Sequence, residues 1–187
     1  MDSQMNIWFC ALVSLSVLCY FIFGDSLADA GNNNPLSTFA KANYPPYGID
    51  FPKRTSTGRF CNGRTSADII GQLLGFTSFI PPFTVASGSS ILQGVNYASA
   101  SAGIRAETGT HLGKNIGLDG QLKNHRAMVS RITALLKTPK AAKAHLSKCI
   151  YYVGAGKLID TSSWTSSTVD SELRFESYGQ EKTVAKS

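Results

Sequence analysis

The sequence predicts an α/β fold built on a parallel sheet. Short apolar, aromatic-rich runs fall near residues 20, 96 and 150, with the length and composition of buried strands. Stretches of helical pattern separate them, and strands alternating with helices are the signature of crossover-connected parallel strands. The chain has 187 residues, 43% hydrophobic and 16% charged. That is enough for one domain with a sizeable core, and too apolar for a disordered chain.

The first run is Cys19-Tyr20-Phe21-Ile22-Phe23, stopped by Gly24-Asp25. Ser26 follows directly, just past the carboxyl end of the expected strand, where open α/β sheets place their ligand and reaction sites. Spacing alone leaves two readings. Ser26 is a mounted nucleophile, or it is a polar residue in an ordinary turn, which both Asp and Ser favour. Ahead of the strand, residues 7–18 are apolar except for Ser14 and Ser16. That run is short for a bilayer span and fits the core of a secretory signal peptide over residues 1–18, although Asp2 replaces the usual basic start. A buried strand or helix at the N-terminus is the alternative.

After Ser26, residues 28–57 read as a long surface loop. Tyr44-Pro45-Pro46-Tyr47-Gly48 cannot be helical, because each proline drives its predecessor to extended geometry. Thr65 with Asp68 resembles a capped helix start, with Ile69, Ile70, Leu73 and Leu74 as the buried face and Gly75 as the stop. Val95-Asn96-Tyr97-Ala98 is a short expected strand. The small residues Ser99-Ala100-Ser101-Ala102-Gly103 then allow close backbone approach to a ligand, or form a flexible linker.

Leu118, Leu122, His125, Val129, Ile132 and Leu136 recur at helical spacing and define one apolar face. His125 on that face reads as a packed histidine. Pro139 ends the helix, residues 141–148 suit a second one, and residues 149–153 a buried strand stopped by Gly154-Ala155-Gly156.

Several functions are excluded by composition and spacing. The net charge is +6, but the basic residues are dispersed, with no run longer than Lys53-Arg54, so no nucleic-acid partner is expected. Cys10, Cys19, Cys61 and Cys149 show no metal-ligand spacing, and their pairing stays open. Gly154-Ala155-Gly156-Lys157 is no phosphate loop, because Leu158 stands where Ser or Thr is needed. No metal and no cofactor are expected. Ser26 also lacks the second glycine of the α/β-hydrolase elbow, since Ala28 stands there.

Beyond these local readings, many short blocks recur in the order of a known family. They include residues 20–27, Gly31-Asn32-Asn33-Asn34, residues 42–52, residues 57–64, residues 72–75, Gly94-Val95-Asn96-Tyr97-Ala98-Ser99 and residues 146–151. On these blocks the chain resembles the plant GDSL esterase/lipases, a branch of the SGNH hydrolases, over residues 19–156. The resemblance implies a flavodoxin-like three-layer α/β/α fold with a central parallel sheet, here incomplete. It also implies secretion to the extracellular space and hydrolysis of carboxylic esters. The expected partner is a small-molecule or lipid ester, with at most peripheral membrane contact.

Carried over by position, Ser26 matches the nucleophile, and its backbone N–H one oxyanion donor. Ala100 stands in place of the second block's glycine, where a backbone N–H survives. Gly156 precedes the place of the third block's Asn donor, which Leu158 occupies. The family's Asp-x-x-His is absent: none of His111, His125 and His145 lies in such a block, so no catalytic His or Asp is found. Residues 157–187, rich in Ser, Thr and charge, read as a divergent polar tail after an N-terminal part of the hydrolase domain. Two expectations follow. Apolar surface is exposed where further strands and helices belong. The chain is either an ester hydrolase whose histidine comes from elsewhere, or an inactive fragment, a non-enzymatic binding or regulatory remnant.

Overall fold

A computed structural model describes residues 17–154. Most of the expected signal segment, Gly156, Leu158 and the polar tail lie outside the described residues. Among the described residues the strands and α-helices follow in the order β1 (Cys19–Gly24), α1 (Ser66–Leu73), α2 (Leu118–Leu136), α3 (Pro139–Leu146) and β2 (Cys149–Gly154).

The expected α/β architecture is present. β1 and β2 pair in parallel, from Cys19 opposite Cys149 to Gly24 opposite Gly154. Every residue of β1 is buried, which explains its unbroken apolar sequence: a strand covered on both faces has no polar side to show. Its side chains alternate between two cores. Cys19, Phe21 and Phe23 pack with Met128 and Ile132 of α2, and Leu146 of α3 closes on the same cluster. Tyr20 and Ile22 pack on the other face with Ala67, Ile70 and Leu74 of the α1 region. The result is three layers, α1 over the sheet over α2 and α3. Burying each of Phe21, Ile22 and Phe23 contributes about 1.5–3 kcal/mol, so β1 alone anchors much of the core.

The strand expected at residues 95–98 is reduced to a single bridging residue. The segment runs beside β1 in parallel, with hydrogen bonds from the Ile22 N–H to the Val95 carbonyl, from the Tyr97 N–H to the Ile22 carbonyl and from the Ser99 N–H to the Gly24 carbonyl. On its far side, Asn96 bridges Pro82, and proline lacks the N–H that would extend a ladder. Gly94 (φ +125) lets this segment meet β1, because a Cβ there would strike the Tyr20 backbone.

α1 opens with the expected capping box, Thr65 and Asp68 each accepting the other's backbone N–H. Its buried face differs from the expected one. Ile69 is 43% exposed and Leu73 82% exposed, whereas Ala67, Ile70, Gly71 and Leu74 face the sheet. Gly71 lies against the Tyr20 ring, so small residues at i and i+4 bring the helix close and rotate Ile69 and Leu73 outward. On α2 most of the expected face meets the core, with Ile132 buried, Leu118 and Leu136 packed against it and His125 on its rings. Its buried positions are Gln121, Met128 and Ile132, while Leu122 is 39% exposed. Lys137, in left-handed geometry, ends α2, and Pro139 occupies the first turn of α3 behind its Thr138 cap.

β2 was expected to be buried and is not. Ile150, Tyr151 and Val153 are 36%, 46% and 62% exposed. Among the described residues β2 pairs only with β1, so its outer edge and much of both faces lack cover. The expected exposed apolar surface is therefore present at β2. No described helix is long and apolar enough to cross a membrane.

Candidate active site

The end of β1 delivers Gly24-Asp25-Ser26 into a tight turn. The Leu27 N–H bonds Asp25 Oδ1 at 2.9 Å, and the Ala28 and Asp29 N–H groups donate to the Asp25 carbonyl. This is an Asx turn that winds into one helical turn. Ser26 sits at its start, partly exposed between buried Asp25 and the solvent-facing Leu27. Among the described residues its N–H donates no hydrogen bond, as expected for a group at the head of a helical turn.

Gly24 is held by a residue that sequence reading missed. Gln121 of α2, 1% exposed, accepts from the Gly24 N–H through Oε1 at 2.9 Å and donates through Nε2 to the Gly24 carbonyl at 2.8 Å. A second bond from Nε2 to the Ile116 carbonyl, 2.9 Å, fixes the amide's orientation. The only signal in the sequence was a polar residue one place before the expected apolar Leu122.

Behind Ser26, side-chain amides and a carboxylate lock two loops together. Asn96 Nδ2 donates to the Ala28 carbonyl, and Asn32 Nδ2 to the carbonyls of Asn96 and Ala98. Asn33 Nδ2 reaches the carbonyls of Ala40 and Ala100, and its Oδ1 accepts from Ser99 Oγ at 2.6 Å. Asp29, fully buried, accepts at Oδ1 from the Gly31 and Asn32 N–H groups and at Oδ2 from the Ala100 N–H. Burial pushes its carboxyl up from 3.8 to about 6, against those N–H groups, which lower it. The run at residues 99–102 is accordingly buried and pinned, not a flexible linker.

This network changes the part assigned to Ala100. Its N–H already donates to Asp29 Oδ2 at 2.9 Å, and the residue is 0% exposed. It holds the loop rather than presenting an open donor. Gly156 lies outside the described residues.

The three histidines lie elsewhere. His125 packs edge-on against the rings of Phe21, Phe23, Tyr97 and Tyr151, with Nδ1 3.2 Å from Tyr97 Oη, and burial pushes its imidazole below the ordinary value. It is the packed histidine the sequence suggested. His145 Nε2 meets the Leu92 carbonyl, and His111 is exposed in a short 3-10 turn. None of them hydrogen-bonds Ser26.

Comparison with known proteins gives one consistent picture. The family model described as GDSL-like lipase/acylhydrolase matches residues 20–174. Two GDSL esterase/lipases of Arabidopsis thaliana are each 56% identical over 138 residues, 74% of this chain and 38% of theirs. A third from the same plant is 47% identical over 169 residues, 83% of this chain and 46% of its own length. The chain thus spans less than half the length of these curated relatives. No solved structure matches it.

Proposed function

Because the chain belongs to the GDSL-like lipase/acylhydrolase family, we propose that it carries the nucleophilic part of a carboxylic ester hydrolase, with Ser26 as nucleophile. The observation that supports this most directly is the mounting of Ser26. A fully buried strand ends one residue before an Asx turn, and the serine stands partly exposed with its N–H uncommitted among the described residues. Ser26 Oγ attacks the ester carbonyl, the carbonyl oxygen takes up negative charge, and the Ser26 N–H donates to it. The alcohol leaves, and water then releases the acid from the acyl-serine.

Gln121 sets where β1 ends, and the Asp29–Asn32–Asn33–Asn96 network fixes the loop that follows Ser26. Ala100 contributes through that network. The substrate is an ester of small-molecule or lipid type, as the relatives' names indicate for those proteins. Secretion, directed by residues 1–18, belongs to the same proposal.

A base is needed to take the Ser26 proton; His125 and His145 are held at other contacts, and His111 lies in a separate exposed turn. That observation favours a second reading: the isolated chain binds without turning over, because loss of a triad member costs about 10⁴ or more in rate. Purified chain offered a short-chain p-nitrophenyl ester separates the two. Turnover abolished by Ser26→Ala supports hydrolysis. A rate equal to buffer overturns it for this chain and leaves the non-catalytic reading.

A further inference from the structure

Cys19 and Cys149 open β1 and β2 as register partners and are joined in a disulfide across a sequence separation of 130 residues. They lie at the opposite ends of the two strands from Ser26. His145, near the end of α3, stands beside the bond. Its Nε2 is 2.9 Å from the Leu92 carbonyl and 3.4 Å from Cys19 Sγ. A carbonyl only accepts, so Nε2 carries the proton, and its one N–H lies between the nearer Leu92 carbonyl and the more distant Cys19 sulfur.

The two sulfurs differ in access and in surroundings. Cys19 is 0% exposed inside the core, whereas Cys149 is partly exposed on the uncovered strand. A hydrogen-bond donor beside a sulfur favours thiolate over thiol, and a sulfur stabilised as thiolate is the better leaving group in exchange. The attacking thiolate needs a sulfur it can reach. Access selects Cys149 for attack, and the imidazole N–H selects Cys19 to leave.

We propose that Cys19–Cys149 is a thiol-exchange site with this fixed polarity, opened by a dithiol reductant. One thiolate of the reductant forms a bond to Cys149 Sγ. The Cys19–Cys149 bond breaks, and its electron pair leaves on Cys19 Sγ against the His145 Nε2–H. The reductant's second thiolate then attacks the reductant sulfur of the mixed disulfide, closes the reductant's own disulfide and releases Cys149. Two electrons and two protons pass from the dithiol to the protein, which ends with two thiols. The strand pair that carries Ser26 and Gly154 at its far end is thereby untied at its base.

The same sulfurs and His145 Nε2 lie within 4.8 Å of one another, the size of a metal site. With the sulfurs bonded to each other and Nε2 protonated toward Leu92, however, they offer donors for exchange rather than lone pairs for a cation.

The test uses the full chain in native buffer, and none of its readouts involves Ser26. Iodoacetamide followed by peptide mass analysis should leave Cys19 and Cys149 unlabelled until dithiothreitol is added, and label both afterwards with the circular dichroism of the fold retained. Glutathione, a monothiol, should be trapped on Cys149 and not on Cys19. His145→Ala should slow opening about threefold, and His145→Gln, which keeps an N–H donor, should recover most of that rate. Glutathione trapped on Cys19 would overturn the polarity. Opening only in denaturant, or labelling of both cysteines without reductant, would overturn the site itself. Should the His145 variants not fold, the position of the glutathione adduct on the parent chain decides alone.

Discussion

Replacing Gln121 with leucine should destabilise the fold by about 2–3 kcal/mol, although it exchanges a polar core residue for an apolar one of similar size. The side chain is 1% exposed and makes three hydrogen bonds: two to the Gly24 peptide and one to the Ile116 carbonyl. Leucine would leave the Gly24 N–H and the Ile116 carbonyl without these partners, at about 1–3 kcal/mol for each buried group. The Gly24 carbonyl suffers less, since it still accepts from the Ser99 N–H at 3.1 Å. Added apolar burial returns part of the loss, on the order of 1 kcal/mol. Water offers little rescue. The void lined by Gly24, Ala102, Gly103, Leu118 and Gln121 is about 10 Å³, at the lower limit for one molecule. Guanidinium unfolding gives the global cost, and amide exchange at Gly24 tests its origin. A leucine variant within 0.5 kcal/mol of the parent, or a Gly24 amide that stays protected, would refute the assignment of Gln121 as the clamp on β1.

Three further predictions follow from buried charge. Arg59, 5% exposed, meets Asp68 through two bonds of 2.7 and 2.9 Å and lies over the Phe51 and Phe79 rings. Arg59→Leu leaves the Asp68 carboxylate without its cation and should cost about 3–5 kcal/mol in urea unfolding; a loss under 1 kcal/mol would mean Asp68 is satisfied by its cap alone. Asp29 has a folded-state pKa raised to about 6, so between about pH 4 and pH 6 the folded chain binds more protons than the unfolded one. Its contribution is therefore fully present below about pH 4 and lost as pH rises through 6, a change of about 3 kcal/mol relative to Asp29→Asn. Urea midpoints of the two chains across that range check it, and a parent that gains on the variant as pH rises would reverse the sign. His125 acts with the opposite sign. Its lowered pKa makes stability fall as pH drops below about 6.5, and His125→Phe should abolish that dependence in the same titration.

Much of the fold is legible in the sequence because it rests on local rules. An apolar run stopped by Gly24-Asp25 makes β1, Thr65 and Asp68 cap α1, Pro139 separates α2 from α3, and ordered blocks place the chain in its family. Each depends on residues within a few positions of one another. What the sequence left open depends on which face meets which neighbour. The buried stripe of α1 is displaced by one residue because Gly71 packs on Tyr20, and Gln121 joins the buried side of α2 because it meets Gly24, contacts 51 and 97 residues apart that no periodicity encodes. Ala100 kept the backbone N–H expected of it, yet the fold commits that group to Asp29, 71 residues away. The Cys19–Cys149 pairing likewise exists only because two strands align in register. Sequence by itself determined most of the elements and the turn that presents Ser26, since backbone propensity and turn chemistry are local. Tertiary structure alone decided which polar groups around Ser26 are already spent, because hydrogen-bond partners in a core are chosen by proximity in space.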